Sequence, residues 1–358
     1  MANIFNQSLS KNDILERVGD ISQICDARPM EFQDGRATGV KSIEVTTGSG
    51  FAFTVVPSRN LDISRASFNG IPAAWRSAVG ETAPEFYQPA GMEWLRSFFG
   101  GLLTTCGISY SSHPCEDNGE EIGLHGRIAN IPAEDVSIDK RWNGDNYDVT
   151  ISGRMREVGV YKDNLILTRT IKTSLGASSL KITDVIQNAG FRPSPVMMLY
   201  HINPGWPIVS ENSRLYAPVI GSKYFDANAE KEHNLWDRFI APQKGYVERC
   251  YLHDMKADSD GMVNLCLVNE ELGIGVYEKY PAKEFPYFVE WKMMGQGEYV
   301  VGIEPGNITG HRASMRDEGT LEILEPGEER QFSIELGVLS GKDMINDFIN
   351  DIKEIAAQ

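Results

Sequence analysis

The sequence predicts an all-β protein: a large antiparallel β-sandwich with short helices at its two ends. Three observations carry that prediction. Apolar, β-branched and aromatic residues recur with period two through most of the chain. Clusters of Gly, Asn, Asp and Pro separate these runs at close spacing, as in Asn143-Gly144-Asp145-Asn146 and at 257–261. Helical periodicity is confined to the ends, so the helices that must connect parallel strands are missing.

The elements follow in order. Ser10 opens an S-x-x-D pattern with Asp13 in the capping-box position. Ile14, Leu15 and Val18 follow, and Gly19 stops a helix over residues 11–18. Residues 42–56 alternate, as do 147–153, 165–173, 180–187, 263–268 and 299–303. Residues 92–105 mix the two periods around Gly100-Gly101 and fit helix or loop. Met344, Ile345, Phe348, Ile349, Ile352 and Ile355 recur at i, i+3/i+4, which predicts an amphipathic helix over 343–356. No low-complexity linker, charge block or internal repeat divides the chain, so residues 1–358 read as a single domain.

Composition narrows the function. The 358 residues are 41% apolar, ample for a core, and carry a formal charge of −16 with no Lys/Arg run. A nucleic-acid partner requires a basic stripe, which is missing. No apolar run reaches the ~18 residues needed to span a bilayer. Residues 1–7 lack the basic and apolar regions of a secretory leader. The five cysteines are odd in number and form no C-x-x-C pair, as in a reduced, cytoplasmic protein. Neither G-x-G-x-x-G nor a P-loop occurs, so no cofactor is expected. The expected partner is a small molecule, and self-association into a homo-oligomer is compatible with the composition.

Two segments are built alike. Val196-Met197-Met198-Leu199-Tyr200 delivers His201, followed by Ile202-Asn203-Pro204-Gly205. Tyr299-Val300-Val301-Gly302-Ile303 delivers Glu304, followed by Pro305-Gly306-Asn307. Proline donates no ladder hydrogen bond, so pairing is expected to stop there and leave each ionisable side chain at the sheet rim. Gly302 shares the face of Glu304 by period two and should leave room for a ligand beside the carboxylate. An apolar surround would raise the pKa of Glu304 towards that of a working base. The competing reading is a satisfied core histidine and a solvated turn glutamate.

Two further clusters are Gly123-Leu124-His125-Gly126-Arg127-Ile128 and Pro57-Ser58-Arg59-Asn60-Leu61-Asp62. An arginine offers fixed donors for a ligand's hydroxyls; Arg59 could equally pair with Asp62. Trp75, Trp94, Trp206 and Trp291 offer apolar faces for a ligand's C–H groups, and Trp291 sits between the polar Glu290 and Lys292.

His201 in Y-H-x-N-x-G-x-P, Glu304 in G-x-E-P-x-N, the upstream L-H-G-R-I, Phe98–Gly107 and P-S-R-N-L-D-I together resemble the galactose mutarotase superfamily, and within it a bacterial aldose 1-epimerase-like branch. The resemblance runs over residues 30–340. It implies a β-supersandwich, a Glu base and a His acid falling on Glu304 and His201, and sugar ligands at His125 and an arginine, Arg59 or Arg127. The binding aspartate of better-known mutarotases has its nearest candidates in His253 and Asp254, in a poorly matching setting. Asn203, Trp291 and Lys292 complete the candidate binding set. The implied activity is isomerase chemistry: anomers interconvert through ring opening, without metal or cofactor. From reference values of ~4.3 and ~6.5, an ionised Glu304 and a protonated His201 predict a bell-shaped pH profile. Three rivals stand beside it: a sugar-binding protein without turnover, a metal-dependent isomerase using His125, His201 and Glu304, and a glycoside hydrolase or lyase using Glu290 and Glu304.

Overall fold

The computed structural model describes residues 1–357. Period two in the sequence becomes pleat in the structure. Along Asn146–Val158 every second residue is buried, and the strand pairs in antiparallel register with Asn164–Ser174, which pairs with Ser179–Asn188. These strands join Glu134–Asn143, Glu329–Ser340, Ile274–Pro281, Met262–Asn269 and Ser213–Tyr216 in an eight-stranded sheet.

The second sheet has eleven strands. In space it runs from Val219–Tyr224 through Arg249–Met255, Tyr287–Gly295, Glu298–Gly306, Leu199–Ile202 and Leu103–Cys106. It continues through Asp62–Phe68, Phe51–Val56 and Lys41–Thr46 to Asp26–Glu31, with Ile71–Pro72 paired to Asp62–Phe68. The two sheets pack face to face: Ile171, Ile182, Leu265, Val276 and Leu336 meet Val55, Ile63, Tyr200, Val301 and Ile303 in one apolar cluster.

One polar network crosses this core. Arg169, from the eight-stranded sheet, bonds Asp184 through Nε (2.9 Å) and Nη2 (2.6 Å). It reaches Asp62 of the other sheet through Nη1 at 2.7 Å and Thr105 Oγ1 through Nη2 at 2.8 Å. The Tyr200 hydroxyl also donates to Asp184. The arginine and both aspartates are fully buried, and each charge is matched by hydrogen bonds that offset its desolvation.

Several boundaries differ from the sequence expectations. Residues 42–56 form two strands, Lys41–Thr46 and Phe51–Val56, because the intervening Thr47-Gly48-Ser49-Gly50 turns the chain. Residues 92–105 resolve into the 3-10 turn Glu93–Ser97 and the strand Leu103–Cys106. The first helix has both capping-box bonds but covers only Lys11–Leu15, since the Arg17 N–H leaves the i−4 pattern and bonds the Ile14 carbonyl three residues back. The last spans Lys342–Ala357 and buries Ile345, Ile349, Ile352 and Ile355. Its apolar stripe covers Cys266, Val268, Tyr277 and Leu339 on the outer face of the eight-stranded sheet. No helix among the described residues is long and apolar enough to cross a membrane.

Candidate active site

Along Glu298–Gly306, Tyr299, Val301 and Ile303 enter the core, which leaves Val300, Gly302 and Glu304 on the opposite face of the eleven-stranded sheet. The neighbouring strand pairs Leu199 with Gly306 and Ile202 with Ile303, which sets His201 opposite Glu304. His201 Nδ1 lies 3.2 Å from Glu304 Oε1, with the two residues 5% and 2% exposed. The pair is close but not aligned as a hydrogen bond, and neither atom has another partner. Burial lowers the pKa of His201 to about 4, against a smaller opposing effect of the Asn203 side chain. Burial pushes Glu304 well above the usual carboxylate range, and the Glu248 carboxylate adds to the shift.

Glu304 therefore does not end its strand. Phe288 pairs with Pro305 and Tyr287 with Gly306. Proline removes one donor, yet the strands on both sides still pair with Gly306 beyond it, so the carboxylate stands in mid-sheet rather than at a rim. The space over Gly302 is also taken. A Cβ there would lie 2.0 Å from Glu304 Oε1 and 3.2 Å from His201 Cε1, so the glycine makes room for the pair itself.

Aromatic rings surround the pair. Trp291, the register partner of Gly302, lies 5.4 Å from His201 between ring centroids. Phe98 lies 5.1 Å and His125 5.9 Å from His201, and Trp94 packs on both His125 (4.9 Å) and Phe98 (4.7 Å). His125 adopts a left-handed φ of 55°, pinned by N–H donation to the Ser112 carbonyl at 2.9 Å. Burial, then the nearby His201, holds His125 well below its usual pKa. Trp291 Nε1 donates to Glu248 Oε2 at 2.7 Å. Cys250, opposite Trp291 in the next strand, shares this face, and burial raises its thiol pKa.

Thus His201, Glu304, His125 and Trp291 come together, with Asn203 beside them. Asn203 Nδ2 donates to the His201 carbonyl at 2.7 Å, and its buried Oδ1 has no partner. The other sequence candidates lie elsewhere. Arg59 is 1% exposed and donates to three backbone carbonyls, of Ala129 (Nε, 2.6 Å), Thr82 (Nη1, 2.9 Å) and Ser97 (Nη2, 2.8 Å). It pairs with neither a solvent-facing site nor Asp62, whose partner is Arg169. Arg127 is exposed. Glu290 and Lys292 flank Trp291, so period two turns them to the opposite face. There Lys292 Nζ donates to the carbonyls of Leu235 (2.6 Å) and Arg238. His253 lies on that face too: Nε2 is 3.1 Å from Glu290 Oε2 and Nδ1 is 2.7 Å from Ser222 Oγ. Asp254 is exposed on the outermost strand pair, opposite Gly221. With Glu290 and Glu304 on opposite faces of adjacent strands, the two carboxylates cannot flank one glycosidic bond. Among the described residues no group of three His, Cys, Asp or Glu side chains is placed to hold a metal ion. Glu248 and Cys250 had no sequence signal: strand pairing with Trp291 brings Cys250 here, and Glu248 comes from the loop just before that strand.

This two-sheet antiparallel sandwich, with its His–Glu pair on the outer face of the larger sheet, has the fold of aldose 1-epimerases and galactose mutarotase-like proteins. The chain belongs to the family described as Domain of unknown function (DUF4432), which matches residues 37–338. It is similar in fold to a Klebsiella pneumoniae protein proposed to be an aldose 1-epimerase, with TM-score 0.88 and 24% identity over 92% of this chain and 87% of that one. A galactose mutarotase-like protein from Clostridium acetobutylicum matches with TM-score 0.64 and 15% identity over 89% and 99% of the two chains. The galactose 1-epimerase of Lactobacillus acidophilus matches with TM-score 0.57 and 11% identity over 89% and 100%. No curated protein sequence matches the chain.

Proposed function

We propose that this protein is a carbohydrate epimerase that interconverts the anomers of an aldose by opening and closing its cyclic hemiacetal. One observation carries the reading: two buried acid/base groups, His201 and Glu304, stand 3.2 Å apart on a sheet face lined by aromatic rings.

Ring opening breaks C1–O5. The bond's electrons go to O5, which takes a proton, while the anomeric hydroxyl loses its proton and C1=O1 forms. The reaction needs one donor and one acceptor at the same moment. Burial disfavours both the imidazolium and the carboxylate, so the pair retains a single proton and is neutral as a unit. One member donates, the other accepts, and closure on the opposite face of C1 returns the proton. No electrons leave the sugar, so the chemistry requires no redox carrier. His125 and the partnerless Asn203 Oδ1 supply polar contacts to hydroxyls, while Trp291 and Phe98 meet the C–H faces. Five unpaired cysteines support a reducing, cytoplasmic setting.

The test is saturation-transfer NMR between the α and β anomeric protons across a panel of free aldoses. The protein should speed exchange above the buffer rate, and Glu304→Gln should slow it by at least ~100-fold with sugar still bound. Binding without exchange by the wild-type protein would instead make it a sugar-binding protein.

A further inference from the structure

Trp75 lies outside every regular helix and strand, yet its position is tightly fixed. Its N–H donates to the carbonyl of Asn203 at 2.7 Å, two residues beyond His201, and its carbonyl accepts the Gly101 N–H at 2.8 Å. Two glycines form its slot. A Cβ on Gly100 would come within 2.7 Å of the indole Cε3, and one on Gly205 within 2.7 Å of Trp75 Cβ. Gly100 also has φ +76°, which side-chain-bearing residues rarely adopt. The indole is only half-buried. Two backbone bonds and two glycines thus mount an indole that rests on the apolar cluster around Trp94 and Phe98 while keeping a partly exposed face.

That face completes a circuit of four rings. Centroid separations run 5.1 Å from His201 to Phe98, 6.0 Å to Trp75, 6.4 Å to Trp291 and 5.4 Å back to His201. Trp75 occupies the corner opposite His201. In a pyranose the C3–C4 bond lies across the ring from C1–O5. A sugar that places C1–O5 at His201 and Glu304 therefore brings its C3–C4 end to Trp75. An indole face attracts C–H groups and offers a hydroxyl no acceptor. When the 4-hydroxyl is axial, the hydrogens on C3, C4 and C5 share one face; when it is equatorial, the C4 hydrogen turns to the other.

We propose that Trp75 is the residue that discriminates sugars at C4, by stacking on the C–H face that an axial 4-hydroxyl exposes. The inference rests on the epimerase reading for the placement of C1. It is tested with D-galactose and D-glucose, which differ only at C4, as substrates for the wild-type protein, Trp75→Ala and Trp75→Phe. Wild type should favour the axial sugar in kcat/KM by at least ~5-fold, the scale of one aromatic contact. Trp75→Ala should bring the ratio within about twofold of unity, chiefly by raising KM for galactose, and Trp75→Phe should restore most of it. A wild-type ratio near one, or a preserved ratio in Trp75→Ala, overturns the proposal. A purely structural role would lower Tm and leave the ratio unchanged. If no sugar exchanges anomers, the epimerase reading has failed, and quenching of tryptophan fluorescence decides separately. Loss of C4 discrimination in Trp75→Ala binding then supports the assignment, and its retention overturns it.

Discussion

His201 and Glu304 face each other across two neighbouring strands, Nδ1 to Oε1 at 3.2 Å, where burial works against charge on both. Two neutral groups sharing one proton are equivalent, in proton count, to an imidazolium beside a carboxylate. A pH profile therefore reports the pair rather than either member. Activity should fall on the acid side near pH 4, where His201 takes a second proton, and on the alkaline side where Glu304 loses the shared one, above its usual range. This reverses the order expected from reference values, in which the carboxylate sets the acid limb. Measuring kcat/KM from pH 3 to 10 checks it, and His201→Asn should remove the limb near pH 4. An acid limb at the ordinary carboxylate value and an alkaline limb at the ordinary histidine value would return to the simpler assignment.

The same shifts carry a stability signature. Glu304 has a folded pKa above its unfolded one, so its contribution is fully present below the unfolded value of 4.5 and is lost as pH rises through the folded value. Glu304→Gln escapes that loss, so its Tm advantage over wild type should grow as pH rises above 4.5. His201 has the opposite sign. Its contribution is present above the ordinary histidine value of 6.5 and is lost as pH falls through about 4. A Tm difference for Glu304→Gln that is flat with pH would show that the carboxyl ionises normally.

Arg59 should prove structural. Alanine there strips donors from the carbonyls of Ala129, Thr82 and Ser97, which anchor three separate loops. Each buried acceptor left unsatisfied costs about 1–3 kcal/mol, so urea unfolding should show a loss of at least ~3 kcal/mol. Sugar affinity of the folded fraction should stay within about twofold. Weakened binding at unchanged stability would place Arg59 in the site after all.

Much of the fold was legible because strand alternation and terminal helical stripes are local signals. The capping box of Ser10 and Asp13 and the stripe from Ile345 to Ile355 required no tertiary information. The two catalytic candidates were legible as polar interruptions of apolar runs. Their surroundings were not. Period two says that Glu290, Trp291 and Lys292 alternate, but only register and the position of the core decide which of them faces the site. Arginine donors satisfy carbonyls as readily as hydroxyls, so the pattern around Arg59 fitted both roles. Glu248 reaches Trp291 from a loop without any motif, and the Arg169 network joins residues more than a hundred positions apart.

Gly302 offers the most local test of the site. Both of its sequence neighbours are buried, and its own face is filled by the Glu304 carboxylate. A methyl group in Gly302→Ala would come 2.0 Å from Glu304 Oε1 and 3.2 Å from His201 Cε1, too close for the carboxylate to keep its place. The backbone is extended, so alanine introduces no conformational strain of its own. The carboxylate must swing away from His201 and separate the donor from the acceptor. Misplacing a reacting group by about 1 Å costs on the order of 100-fold in rate, so anomer exchange should fall by about that factor. The limb near pH 4 should also move towards the ordinary histidine value, since a displaced Glu304 opens His201 to water. Saturation transfer and the kcat/KM profile measure the two effects on one sample, with circular dichroism to show that the strands persist. Wild-type exchange in Gly302→Ala would mean that the contact between His201 and Glu304 is not needed for turnover.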